Sequence, residues 1–147
     1  MHDEAAIRQH LSVPGTRNLR VFILVHNVDA ATVATVDYAQ ALRPESVCGI
    51  HVAFSAPRAE QVSASWHARL GAQTPLLVLE PVNGELSDSL SPLVNSELPD
   101  ADHPLVILVP DRHRWTSLLR RRRRHPSRLA ETFADVEGVW AVWITAR

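Results

Sequence analysis

Five short runs of consecutive β-prone apolar residues recur along this chain, at 20–25, 47–54, 76–79, 105–109 and 139–144. None of them alternates apolar with polar residues, and a strand apolar on both sides is one covered on both faces, as in a parallel sheet. Amphipathic stretches separate the runs at 29–42, 57–70, 85–98 and 114–133. A β-α-β-α-β-α-β-α-β order with right-handed crossovers predicts a three-layer, doubly wound α/β sandwich around a five-stranded parallel sheet. The 147 residues, 46% of them apolar, suffice for one such domain. At that size about two-thirds of the unfolded surface is buried on folding.

Local signals support the helices. Asp29 is a good N-cap, and Ala31, Val33, Ala34, Val36, Ala39 and Leu42 recur near helical spacing behind it. Pro57 suits a first helical turn. Pro126 removes a donor and restricts His125, so it breaks the last helical stretch. Residues 1–18, with Pro14, Gly15 and Thr16, read as a short helix and linker ahead of a domain at 19–147.

Charge is uneven. All fifteen basic residues are arginine, and the net charge is −1. Residues 1–110 hold six arginines against twelve carboxylates, and 129–147 hold one against three. Between them, 111–128 hold eight arginines against Asp111 alone. Arginine is a planar fork matched to phosphate and carboxylate, so this block suggests an anionic partner. Five consecutive arginines at 120–124 go all the way round a helix, so that segment is solvated, as a helix end or a loop before Pro126. A solvated charge run at a helix C-terminus and an anion site account for it equally well.

In an open parallel sheet, ligands bind beyond the carboxyl ends of the strands where strand order reverses. That edge is expected to set His26, Asn27 and Asp29, after the first strand, against Asp111, Arg112 and Arg114, after the fourth. Arg120, Arg121 and Arg122 extend the cationic side. Asn27 and Asp29 suit a base or ribose, although Asp29 also has a helix to cap.

Other chemistries find no support. The five glycines form neither a dinucleotide fingerprint nor a P-loop. The eight histidines and Cys48 show no metal-ligand spacing, and no serine sits in a nucleophile elbow, so the chain reads as neither a metalloprotein nor an enzyme. A nucleic-acid partner is disfavoured by the acidic remainder and the lack of interleaved aromatics. The single cysteine, Cys48, fits a reducing compartment and reads as a small buried residue of the second strand. No apolar stretch approaches the roughly 18 residues of a membrane span, and the acidic N-terminus is no signal peptide. Trp140 and Trp143 fall on opposite faces of the last strand; core packing and a dimer contact both suit them.

The order of motifs resembles a known family. The stretches are Val-Phe-Ile-Leu-Val-His-Asn-Val-Asp at 21–29, Asp-Tyr-Ala-Gln-Ala-Leu at 37–42 and Val-Cys-Gly-Ile-His-Val-Ala at 47–53. Trp66 follows, then Pro-Leu-Leu-Val-Leu-Glu at 75–80, Val-Ile-Leu-Val-Pro-Asp at 106–111 and Trp-Thr-Ser-Leu-Leu at 115–119. Together they resemble the universal-stress-protein-like cytoplasmic domain after the last transmembrane helix of some bacterial amino acid–polyamine–organocation permeases. That superfamily includes a potassium–proton importer. Residues 7–14 resemble the linker after the final membrane helix.

The resemblance implies strand order 3-2-1-4-5, a homodimer, and a regulatory role beneath a transmembrane transport domain at the inner face of the membrane. In the potassium-importing branch it also implies binding of cyclic di-AMP, with no other cofactor. The nucleotide-binding residues would be His26, Asn27, Asp29, Asp111, Arg112, Arg114, Arg120, Arg121 and Arg122, with Trp140 and Trp143 in the dimer interface. The chain lacks the glycine-rich loop that ATP-binding universal stress proteins carry after strand four. It has Arg120-Arg121-Arg122 where the permeases often have His-Asn-Gln. That change suits phosphate, or anionic lipid at about 1 kcal/mol per residue. Two further readings remain: a dimerising, membrane-contacting module without a nucleotide, and a stand-alone stress protein with a divergent site.

Overall fold

The computed structural model describes residues 18–100, 102–110 and 129–144. Its strands are β1 (Arg20–Leu24), β2 (Ser46–Val52), β3 (Leu76–Leu79), β4 (Leu105–Pro110) and β5 (Val139–Ile144). Its helices are α1 (Ala30–Ala41), α2 (Ala56–Arg69), α3 (Leu86–Ser96) and the short α4 (Leu129–Thr132). Every strand pairing is parallel, and the order is β3-β2-β1-β4-β5. The expected doubly wound α/β fold and strand order are both present.

Two apolar clusters explain why the central strands are apolar throughout. Val21 and Ile23 of β1 face Val36 and Ala39 of α1 and Val62 and Trp66 of α2. Phe22 and Leu24 face the other way, onto Leu86, Leu90 and Val94 of α3 and onto Leu129 and Phe133. Successive residues of one strand therefore enter opposite layers. Trp140 and Trp143 divide in the same manner, half-buried, one against each cluster.

The structure corrects several expectations. β3 is apolar like the central strands, yet as the sheet edge it leaves Leu77 and Val78 41% and 44% exposed. The second strand stops at Val52, not residue 54, because Ala53 N–H bonds the last β3 carbonyl, Leu79 O, and Phe54 N–H turns back onto Val52 O. Cys48 is half-buried beside the short edge strand. Burial is still the largest influence on its thiol, whose pKa is raised. In α1, Ala34 faces solvent, whereas Thr32 and Thr35 are buried. Their hydroxyls donate to Asn27 O and Ala31 O, which lets polar side chains occupy the covered face. Of the helical stretch expected at 114–133, only Leu129–Thr132 falls among the described residues as helix. The linker expected at 1–18 lies outside them except for Asn18.

Candidate functional site

β1 pairs with β2 on one side and β4 on the other, in register through Ile23↔Leu108. From β1 the chain crosses toward β2, and from β4 toward β5. Strand order thus reverses between β1 and β4, and their carboxyl ends open side by side at the place where such sheets bind ligands. His26, Asn27, Val28 and Asp29 leave β1 there, all half-buried, beside Val109 and Pro110 of β4. Asp111, Arg112, Arg114, Arg120, Arg121 and Arg122, the opposite wall expected from sequence, lie outside the described residues.

Four successive carbonyls of this segment each accept a hydrogen bond from a side chain. His51 Nδ1 donates to Val25 O at 2.8 Å, and Arg58 Nη2 donates to His26 O at 3.1 Å. Thr32 Oγ1 donates to Asn27 O at 2.6 Å, and Arg69 Nη1 donates to Val28 O at 2.9 Å. Arg58 Nη2 also donates to the Asn27 amide oxygen. A carbonyl only accepts, so the His51 proton sits on Nδ1. Asp29 performs its expected capping role, with Oδ1 accepting from Thr32 N–H at 3.0 Å after an extended φ of −115°. The loop is fixed from β2, α1 and α2 at once, and its carbonyls are engaged.

The electrostatics agree. Burial, then the neighbouring Arg58 charge, lower the His26 pKa from 6.5 to about 4, against a smaller opposing pull from Asp29. Burial also lowers His51, with Arg58 adding to the effect and the bond to Val25 O offsetting part of it. Both rings are neutral at pH 7, beside the Arg58 guanidinium and, at His26, the Asp29 carboxylate.

His51, Thr32, Arg58 and Arg69 did not stand out in the sequence. Arg58 lies in the first turn of a helix whose preceding strand, β2, is the neighbour of β1. Once the strand order is known, that turn must lie beside the β1–α1 loop, which is the signal that would have found it. A groove of about 350 Å³ lies at the other end of α2, between Ser63, Trp66 and His67 and the segment at 74–76. It carries no arginine or carboxylate, and the Trp66 indole N–H within it is already bonded to Thr74 O.

Comparison with known families matches residues 16–144 to the KimA potassium transporter C-terminal domain. The chain belongs to that family. The match runs through every strand and helix described above. No curated protein matches the chain. Among the described residues, no helix is long and apolar enough to cross a membrane. This chain, a potassium transporter C-terminal domain by family, thus carries a hydrogen-bonded, cation-flanked loop at the carboxyl edge of a doubly wound sheet.

Proposed function

We propose that this domain is a cytoplasmic regulatory module of a potassium transporter and senses cyclic di-AMP at the carboxyl edge between β1 and β4. The observation that carries the reading is the loop at 26–29, fixed at the switch point of a KimA-type domain with a guanidinium beside it. The eight-arginine segment at 111–128 follows β4 in the chain and supplies further forks for phosphate. His26, Asn27 and Asp29 line the β1 side of the ligand, and Asp111, Arg112, Arg114 and Arg120, Arg121 and Arg122 form the opposite side. The domain binds without turning its ligand over. A homodimer with Trp140 and Trp143 at the contact matches a two-fold ligand.

Calorimetric titration of cyclic di-AMP into the 147-residue chain at near-physiological salt tests the reading. Saturable heat and a thermal upshift are expected. Neither effect at about 100 µM ligand, where a micromolar site is nearly full, overturns it. Salt-sensitive binding to phosphatidylglycerol vesicles with no nucleotide response assigns the arginine block to a membrane surface instead.

A further inference from the structure

We infer that Arg58 and Asn27 together form a donor-only corner that takes an anionic oxygen of the ligand, making α2 the phosphate-contacting helix on the β2 side of the site. This deepens the reading above and rests on it for the identity of the ligand. The hydrogen bonds carry the inference. The carbonyls of Val25, His26, Asn27 and Val28 already accept from His51, Arg58, Thr32 and Arg69. Asn27 Oδ1 accepts from Arg58, and a guanidinium can only donate, so the amide orientation is fixed. What remains open is Asn27 Nδ2 and Arg58 Nη1, neither of which has an acceptor among the described residues. Both are donors, and they are joined through the same Oδ1.

The charge pattern points the same way. Among the described residues Arg20 is paired with Glu97, whereas Arg58 meets only a carbonyl and an amide; the Nε of each is buried with no partner. Arg69, from the same helix, likewise meets only the Val28 carbonyl. Two guanidinium groups therefore flank one four-residue loop whose single carboxylate, Asp29, is engaged in capping α1 through Thr32 N–H. Arg58 is half-buried and makes no ion pair among the described residues, and a bound anion would offset the cost of its partial burial. A phosphate oxygen on Arg58 and Asn27 would be a charge-assisted contact of the stronger kind.

Asn27→Asp separates this role from a structural one. The substitution keeps an acceptor for Arg58 and the shape of the side chain, but replaces the open donor with negative charge. Inorganic pyrophosphate and cyclic di-AMP are titrated in parallel into the parent chain, Asn27→Asp and Arg58→Gln, with thermal melting of each. The expected result is at least about tenfold weaker binding of both ligands to Asn27→Asp, at unchanged or raised melting temperature, and a similar loss in Arg58→Gln. Unaltered affinity in Asn27→Asp overturns the inference and leaves cyclic di-AMP sensing standing. Pyrophosphate binding that depends on Asn27, without cyclic di-AMP binding to the parent, supports the corner and overturns the sensing. Failure of the parent to bind either ligand overturns both.

Discussion

Trp66 of α2 lies so close over Gly49 of β2 that a Cβ there would stand 2.6 Å from Cη2 and 2.8 Å from Cζ2 of the indole. The ring is 2% exposed, and its Nε1 donates to Thr74 O at 2.8 Å, which ties the helix to the start of β3. The missing side chain on β2 is what lets α2 settle onto the sheet. Gly49→Ala is therefore expected to cost about 1–3 kcal/mol through overpacking. Urea unfolding followed by tryptophan fluorescence measures it, and an unshifted midpoint would mean that the layer has room to spare.

Acid should loosen the loop. His26 titrates near 4 in the folded chain against about 6.5 unfolded, so between those values the unfolded state binds the extra proton. Stability is complete above pH 6.5 and falls as the pH drops toward 4; lowered His51 adds to the same slope. The loss is on the order of 2 kcal/mol, allowing for the solvent still at the His26 ring. Denaturant unfolding at pH 7 and pH 5 reads the difference. His26→Gln should flatten the profile, and an identical pH slope in that variant would remove His26 as its source.

Continuous apolar runs made the central sheet legible, because a strand covered by two layers has no polar side to show. The same argument failed at β3, where Leu77 and Val78 are as apolar as a core strand but meet solvent at the edge. Strand order was not in the periodicity; it came from the family resemblance. The position of His26, Asn27 and Asp29 followed from the switch-point rule. Their supports did not, because His51, Arg58 and Arg69 come from 26, 32 and 41 residues away along the chain. Thr32 and Thr35 were hidden for another reason: a hydroxyl bonded to a backbone carbonyl is buried as readily as an alanine.

Thr32 supplies the third prediction. Its hydroxyl is the donor that holds Asn27 O, at 2.6 Å, in a side chain only 2% exposed. Thr32→Val keeps the shape and leaves that carbonyl without its partner, at an expected cost of about 1–2 kcal/mol. Thr32→Ser keeps the bond and gives up only a methyl group. Amide hydrogen exchange at residues 26–29 should therefore accelerate in the valine variant more than in the serine variant. Equal exchange in the two would show that the hydroxyl does not hold the loop.

Arg20 carries a last prediction, at the opposite end of β1. One prong of its guanidinium donates to Glu97 O at 2.6 Å and to Glu97 Oε2 at 3.3 Å, and the other donates to His103 O at 2.9 Å. A strand residue thereby closes the end of α3 and the turn leading into β4, where Arg20 N–H also bonds Pro104 O at 3.0 Å. The side chain is only 14% exposed, so its bonds are better shielded than those of a surface ion pair. A lysine ammonium is a point donor that cannot span Glu97 and His103 together. Arg20→Lys is expected to lower stability by about 1–2 kcal/mol, and Arg20→Gln by more, because Glu97 then also loses its cation. Glu97→Gln keeps the backbone bonds and removes only the exposed side of the pair, so it should cost less than either. A loss in Glu97→Gln as large as that in Arg20→Lys would place the stabilisation in the ion pair, not in the two carbonyls that the fork bridges.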